Sequence, residues 1–294
     1  MISYIPVKTI LSAYQQQGWF GSHYTMNLYR GCSHGCIYCD SRSECYRVEQ
    51  FDRVQPKQDA LLLLERELQT KRKKGVVISG SMSDTYNPLE KTLGLTRGSL
   101  KLFDRYGYGV VIDTKSSMVV RDIDLLKQIS KHAPAIVNFT ITTADPKLCR
   151  LLEPYVCDST ERFQAMKQLT DAGIRCGVLL MPLLPWINDR WENIQAIVDQ
   201  AKAAGADYLY PGFGVTLRQN QRTHYYQKLD QRFPGLSKRY QQYFQESYLC
   251  DSPNAKALMK QFQIYCDAHG LRYRMSDIIS WIEAPYRDEQ LTLF

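Results

Sequence analysis

Long hydrophobic runs and an export signal are both missing from this sequence. No stretch of about 18 consecutive apolar residues occurs, and the first residues, MISYIPVKTI, have neither a basic segment nor a long apolar core. The sequence therefore predicts no membrane span and no export, and we expect a cytoplasmic protein. In a reducing compartment, its nine cysteines favour metal binding or catalysis over disulfide bonds.

Low-complexity linkers are also absent from the 294 residues. A chain of this length forms one large α/β domain or two smaller domains and buries a substantial core. Hydrophobic residues make up 44% and charged residues 23%, as in an ordinary globular protein. The net charge of +7 suggests a polyanionic partner without establishing one, because a well-solvated surface is the simpler explanation.

Short apolar runs alternate with amphipathic stretches through the middle of the chain. The strand-like runs lie near residues 24–29, 73–80, 108–115, 134–143, 174–182 and 206–213. Helical stretches separate them, which is the pattern of parallel strands joined by crossover helices. Six such units predict an α/β fold, a curved and partly open (β/α)6 barrel resembling part of a TIM barrel, because a closed barrel needs eight. Reactive groups are expected at the carboxyl ends of the strands.

The chain divides into four predicted segments. They are an N-terminal segment (1–23), the barrel core (24–216), a C-terminal helical cap (217–280) and a flexible tail (281–294). The cap is rich in tyrosine and basic residues, which supply stacking surfaces and phosphate contacts in nucleic-acid-binding proteins. The candidates are Arg222, Tyr225, Tyr226, Lys238, Arg239, Tyr240 and Tyr243. Tyrosines on helices are more often packing residues, so that alternative stays open.

Three cysteines in the stretch NLYRGCSHGCIYCDSR carry the chemical signal of the sequence. Cys32, Cys36 and Cys39 fall within eight positions, and no second cysteine pair of ligand spacing occurs. A structural zinc site usually takes four ligands as two separated pairs, whereas three thiolates hold three irons of a [4Fe–4S] cluster and leave the fourth iron open. Cys45 is a possible fourth ligand and would close a zinc or cluster site.

The order of the motifs resembles the radical S-adenosylmethionine (SAM) superfamily, in its spore-photoproduct-lyase-like branch. The matching stretches are YRGCSHGCIYC, SGSMSDTYNPLE, TKS, RDIDLL, LEP and AGIRCGVLLMPLLPWIND, in order between about residues 24 and 216. The resemblance implies a metal-bound [4Fe–4S] cluster whose open iron is chelated by SAM. It also implies reductive cleavage of SAM to a 5′-deoxyadenosyl radical, with an external electron donor such as flavodoxin or ferredoxin.

The resemblance also implies roles for residues that follow the predicted strands. Ser79, Gly80 and Ser81, followed by Ser83, occupy the turn that holds the SAM amino group, and Lys115 matches a lysine that pairs with the SAM carboxylate. Weaker expectations are Thr142 and Thr143 for the ribose and the stretch MPLLPWIND for the adenine. Ordinary turns, a solvated lysine and core packing of Met181 and Leu183 are the alternatives.

Two positions depart from the enzyme that gives the branch its name. Ser81 stands where that enzyme has a cysteine hydrogen donor, and Asp40 stands where it has a tyrosine directly after the last cluster cysteine. A serine hydroxyl yields its hydrogen atom far less readily than a thiol does. Tyr38 remains, so Tyr38 and Ser81 mark the positions of catalytic interest without the same hydrogen-transfer route.

The last residues resemble the short peptide with which bacterial DNA polymerases and repair proteins bind the replication sliding clamp. Gln290 supplies a polar contact, and Leu291, Leu293 and Phe294 supply apolar anchors for a cleft. The alternative is a terminus packed on the protein's own surface. Together with the basic cap, the tail makes damaged or modified DNA the expected substrate. The rivals are a radical SAM enzyme acting on RNA, a protein or a small molecule, and a non-enzymatic, clamp-tethered iron–sulfur or zinc scaffold.

Overall fold

A seven-stranded sheet forms the centre of the computed structural model, which describes residues 2–16 and 18–286. The strands are β1 (Leu11–Ala13), β2 (Tyr24–Met26), β3 (Tyr29–Arg30), β4 (Gln55–Pro56), β5 (Val76–Ser79), β6 (Gly109–Thr114), β7 (Ala135–Thr140), β8 (Arg175–Leu180), β9 (Tyr208–Pro211), β10 (Gly214–Thr216) and β11 (Leu249–Asp251). The sheet has the order β1-β2-β5-β6-β7-β8-β9, and the last six of these strands run parallel. β1 pairs antiparallel at one edge. The six parallel strands confirm the predicted open (β/α)6 architecture.

Helices connect the parallel strands, and further helices follow the last of these strands. They are α1 (Ala60–Thr70), α2 (Glu90–Leu93), α3 (Leu95–Tyr106), α4 (Ile123–Ile129), α5 (Pro146–Leu152), α6 (Ser159–Asp171), α7 (Trp191–Ala203), α8 (Gln221–Arg232), α9 (Leu236–Phe244), α10 (Ala255–Ala268) and α11 (Met275–Glu283). Asp158 begins α6 with a capping box, because its side chain accepts from the backbone of Glu161 while Glu161 bonds back to it. Within the described residues, no helix has the length and apolar character needed to cross a membrane.

Neighbouring residues of a central strand enter two different cores. Val110 and Ile112 of β6 belong to the large core that the connecting helices cover, whereas Val111 belongs to a smaller cluster with Phe20 and Ile278. This alternation is the normal consequence of strand geometry, in which successive side chains point to opposite faces. The inner face is therefore filled by α11 and the turn at Trp19–Gly21.

The predicted C-terminal helices form, with two additions that the sequence did not reveal. α8, α9 and α10 cover the stretches with helical patterning. β11 pairs antiparallel with β10, and α11 continues to Glu283, which is past the predicted start of the tail. The tail motif, including Gln290, Leu291, Leu293 and Phe294, lies outside the described residues.

Candidate functional site

The three cysteines of the motif line one small cavity at the carboxyl ends of β5, β6 and β7. Its volume is about 80 Å³. The lining residues are Cys32, His34, Cys36, Cys39, Ser41, Gly80, Ser81, Met82, Asp84, Asp113, Thr114, Lys115 and Thr140. The loop after β3 thus meets the ends of three neighbouring parallel strands, which is where α/β sheets carry their reactive groups.

The cysteine loop is held by a close backbone approach at its start. Gly31 has φ +77°, and a Cβ at this position would lie 2.6 Å from the carbonyl oxygen of Phe51. The next amide, that of Cys32, donates to the same carbonyl at 2.8 Å. Only glycine tolerates both this backbone conformation and this proximity, so Gly31 fixes the point at which the loop turns towards the cavity.

Burial makes these thiols poor thiolates by themselves. It raises the pKa of Cys32 to about 11, and it also raises the pKa values of Cys36 and Cys39. For Cys36 and Cys39, the positive charge of Lys115 acts in the opposite direction but is outweighed. A bound metal reverses this balance, because a coordinating thiol is deprotonated by the ion. Buried sulfurs that converge on one cavity next to a cation therefore suit a metal centre.

The chemistry of the donor set fits a cluster with one open corner. Three soft sulfur donors line the cavity, whereas Cys45 is exposed and lies beside Ser43 Oγ, at 2.9 Å, and Arg218 Nη1, at 3.4 Å. In the described part of the chain, no three His, Cys, Asp or Glu side chains are grouped to hold a single metal ion. A [4Fe–4S] cluster requires no such common point, since each thiolate binds a different iron.

Asp84 ties the turn after β5 to the end of β6. Its carboxylate accepts from Thr114 Oγ1 at 2.8 Å, from the amide of Lys115 at 2.8 Å and from the amide of Tyr86 at 2.9 Å. His34 Nδ1 of the cysteine loop lies 3.5 Å from the same carboxylate. Because both carboxylate oxygens accept hydrogen bonds, Asp84 fixes the backbone of Lys115 in position relative to the cysteine loop.

Lys115 faces a fully buried acid–base network. Glu153 pairs with Arg162 at 2.5 Å, and the Tyr38 hydroxyl donates to the other oxygen of Glu153. Burial by itself lowers the pKa of Lys115, but Cys36, when it is a thiolate, and Glu153 outweigh it, so the pKa is raised and the ammonium stays charged. The Lys115 ammonium lies 5.9 Å from the centre of the Tyr38 ring. Tyr38 therefore presents its ring face to Lys115, while its hydroxyl is already bonded to Glu153. It does not line the cavity.

Asp113 is a cavity residue that the sequence reasoning missed. Its Oδ1 accepts from Asn138 Nδ2 at 2.8 Å, and Asn138 in turn accepts from the Tyr208 hydroxyl. Burial raises the pKa of Asp113 to about 7, although Asn138 and Lys115 act in the opposite direction. The available signal was its position two residues before Lys115 at the end of a buried strand, because alternate residues share a face.

The turn after β5 brings only part of its predicted residues to the cavity. Gly80 and the exposed Ser81 line it, and Gly80 has φ +104° with no room for a Cβ against the carbonyl oxygen of Asp113. Ser79 is buried with an unpartnered Oγ and does not line the cavity. Ser83 donates its hydroxyl to the carbonyl oxygen of Gly31 at 2.5 Å, so it holds the cysteine loop.

After β7, the structure places Thr140 rather than the predicted threonines on the cavity. Thr142 is buried with an unpartnered Oγ1, and Thr143 accepts from the amide of Asp145 at 3.2 Å, before α5. Leu183 is fully buried in the large core. The alternative of core packing therefore holds for Leu183.

The tyrosines and arginines proposed for nucleic-acid contacts divide into two groups. Tyr225 and Tyr240 are fully buried and joined by a hydrogen bond of 3.0 Å, and Arg222 donates to the carbonyls of the segment after α9. Tyr225 and Tyr240 are therefore packing residues, and the Arg222 guanidinium is engaged by backbone carbonyls and Glu246. Tyr243, by contrast, is 59% exposed, and Arg239 lies over the Trp186 ring at 4.2 Å.

Comparison with known proteins gives both a family and structural neighbours. A family model described as "Radical SAM superfamily" matches residues 26–201. "Uncharacterized protein MJ0683" of Methanocaldococcus jannaschii is 30% identical over 216 residues, which are 73% of this chain and 78% of that protein. "Uncharacterized protein Rv2578c" of Mycobacterium tuberculosis is 29% identical over 228 residues, which are 75% and 67% of the two chains.

Two solved structures of spore photoproduct lyase share the fold. The complex with dinucleoside spore photoproduct aligns with a TM-score of 0.61 at 16% identity, covering 88% of this chain and 79% of that one. A mutant with bound AdoMet and the same dinucleoside has a TM-score of 0.62 at 15% identity, with coverage of 89% and 81%. At these identities the likeness shows a common fold and leaves the substrate of this chain to other observations.

Proposed function

This chain belongs to the radical SAM superfamily, and on that premise we propose that it abstracts hydrogen from damaged or modified DNA in the cytoplasm. The enzyme uses a [4Fe–4S] cluster and SAM, as its family does. When bound, the cluster supplies the electron for SAM cleavage, and the protein positions the reacting groups. Cys32, Cys36 and Cys39 would hold the cluster, while Lys115 and the Gly80–Ser81 turn would hold the polar end of SAM.

A large cleft next to the cysteine cavity carries the proposal of a DNA substrate. Its volume is about 800 Å³, and its lining begins directly after the cysteine loop, since Ser41 lines the cavity and Arg42 lines the cleft. The cleft is lined by Arg42, Ser43, Glu44, Arg47, Val48, Glu49, Gln50, Phe51, Asp52, Arg53, Asn220 and His224. This volume is within the usual range for ligand sites, about 300–1,000 Å³.

Two buried nitrogen atoms of residues that line this cleft have no hydrogen-bond partner among the described residues. Arg42 Nε and His224 Nε2 are buried without a hydrogen bond, although Asp52 pairs with the end of the Arg42 guanidinium. Burial, together with the nearby positive charges of Arg42 and Lys228, lowers the pKa of His224 to about 4, so its imidazole is neutral at physiological pH. Arginine and imidazole N–H groups are typical ligands of phosphodiester oxygens, so both residues are candidates to bind phosphate once a side-chain shift exposes these nitrogens.

The fold likeness gives a second line of support. Spore photoproduct lyase was solved with a dinucleoside spore photoproduct, which is a DNA lesion of two joined nucleosides. The present chain has Ser81 in place of that enzyme's cysteine donor, so we propose a different lesion or a different hydrogen donor. The 800 Å³ cleft has room for more than one nucleotide unit beside the cavity.

The test is an anaerobic assay of the reconstituted enzyme with a panel of damaged oligonucleotides, RNA and nucleosides, with products identified by mass. We expect conversion of at least one DNA lesion, with stoichiometric or catalytic 5′-deoxyadenosine. Arg53→Gln should weaken DNA binding about tenfold and reduce its salt dependence by about one phosphate contact, whereas His224→Leu should weaken binding without changing the salt dependence, because a neutral imidazole releases no counterion. The matched control is Arg105→Gln on α3, where an exposed arginine pairs with Glu65 away from the cleft. Conversion of RNA or a free nucleoside alone would overturn the DNA assignment.

We further propose that the tail recruits the enzyme to the replication sliding clamp. The support is the order of Gln290, Leu291, Leu293 and Phe294 in the sequence. Clamp pulldown with the full chain and with a chain lacking its last five residues tests it. Retention of the full chain alone supports recruitment, and equal retention or equal loss contradicts it. A flavodoxin or ferredoxin is the electron donor that we expect to support turnover.

A further inference from the structure

Asp113 lies in the cavity between the two features expected to hold the two charged ends of SAM. Gly80 of the turn after β5 packs directly against the Asp113 carbonyl, and Lys115 follows two residues later on the same face of the strand end. Both acidic and basic side chains line the cavity, yet no ion pair joins Asp113 to Lys115 in the described residues. Asp113 and Lys115 are therefore not paired with each other and lie at one cavity that a zwitterionic ligand would enter.

Only one of the two carboxylate oxygens of Asp113 accepts a hydrogen bond within the described residues. Oδ1 accepts from Asn138, which the Tyr208 hydroxyl orients, whereas Oδ2 has no hydrogen-bond partner in the part of the chain that is described. Asp113 is only 8% exposed, so an unpaired charge here is costly without a ligand. A buried carboxylate with one unbonded oxygen is expected where a bound ligand supplies the missing hydrogen-bond donor.

The other carboxylate that lines the cavity cannot take this role. Asp84 already accepts hydrogen bonds at both oxygens, from Thr114 and from two backbone amides. Gly80 and Ser81 offer only neutral groups. Asp113 is therefore the one carboxylate lining the cavity, among the described residues, with an oxygen to spare.

We propose that Asp113 binds the α-amino group of SAM by accepting an N–H hydrogen bond, while Lys115 binds the α-carboxylate. The inference concerns the cofactor and is independent of the proposed DNA substrate. It assigns to the third parallel strand of the sheet a polar contact that the resemblance placed only on the turn after the second. It also explains why a carboxylate is kept at a position where burial opposes its charge.

The test compares two ligands and two proteins. SAM and its desamino analogue, which lacks only the α-amino group, are bound anaerobically to the cluster-loaded wild type and to Asp113→Asn. Dissociation constants come from equilibrium dialysis without reductant, so no turnover is needed. We expect Asp113→Asn to weaken SAM binding about tenfold or more, because a charge-assisted hydrogen bond is lost, and to change analogue binding less than twofold. Equal losses for both ligands, or no loss for SAM, would overturn the proposal.

A second variant distinguishes a role of Asp113 in binding SAM from a role in folding the site. Asp113→Ser is smaller, keeps a hydroxyl for Asn138 and introduces no steric clash. It should show the same selective loss with SAM and the same iron content per chain as the wild type. If both variants lose iron, Asp113 builds the site rather than binding SAM, and the proposal fails. Since no nucleic acid is present, these outcomes are separate from those of the oligonucleotide assay.

Discussion

Replacement of Asp113 by asparagine should make the cluster-free protein more stable at alkaline pH. Burial raises the pKa of Asp113 from 3.8 to about 7, so folding takes up a proton between these values. The stability associated with this group is fully present below the unfolded pKa and is lost as the pH rises through the folded pKa. The shift corresponds to a penalty of about 4 kcal/mol above pH 8, as an order of magnitude. Asparagine keeps the acceptor for Asn138 and carries no such penalty.

The measurable quantity is the change of this difference with pH. Between the unfolded and folded pKa values, the stability of the wild type falls by about 1.4 kcal/mol for each unit by which the pH rises. The advantage of Asp113→Asn should therefore grow by about 2 kcal/mol between pH 5.5 and 8.5. Urea unfolding under reducing conditions at several pH values gives the two curves. Asp124→Asn is the control: Arg97 holds the pKa of this largely exposed carboxyl below its usual range, so that difference stays flat over the same window.

Parallel curves for the wild type and Asp113→Asn would refute the reasoning. They would mean that Asp113 is ionised in the folded protein throughout the range and that its burial costs nothing. Together with selective loss of SAM binding, the expected result would show a group retained for binding at a cost in stability.

Three further predictions concern the architecture of the site. Cys32→Ser should abolish loading of a [4Fe–4S] cluster, as measured by iron and sulfide per chain, whereas Cys45→Ser should leave it unchanged; equal loss would restore the closed four-cysteine site. Arg162→Met should lower the urea unfolding free energy by about 3–5 kcal/mol, because it leaves a buried carboxylate without its partner; a change below about 1 kcal/mol would contradict the buried pair. Gly80→Ala should destabilise far more than Gly94→Ala, since both have positive φ but only Gly80 meets a backbone oxygen; equal effects would exclude the steric argument.

The parts of this fold that sequence predicted well are those that local pattern determines. Short β-branched runs such as GVVIDT at 109–114 form parallel strands because each is bounded by helices and buried on both faces. The spacing of Cys32, Cys36 and Cys39 lies within one loop, so its convergence needs no long-range information. The same locality accounts for Gly80 at the cavity, directly after its strand.

The parts that sequence did not reveal depend on pairing between distant segments. Tyr225 and Tyr240 resemble surface tyrosines in sequence, but packing of α8 against α9 buries both rings. Thr140 rather than Thr142 lines the cavity, because the position at which β7 ends decides which residue reaches it. In the sequence, Asp113 has the pattern of an ordinary strand residue, and only the arrangement of neighbouring strands shows that it lines the cavity.

The most direct measurement is made on oxygen-free, reconstituted protein. Iron, acid-labile sulfide and zinc are determined per chain, and SAM is then added with a reductant while 5′-deoxyadenosine is measured. A [4Fe–4S] cluster held by Cys32, Cys36 and Cys39 predicts about four irons and four sulfides, with 5′-deoxyadenosine that disappears in Cys36→Ser. One zinc per chain without sulfide, or a loaded cluster that yields no 5′-deoxyadenosine, would contradict it.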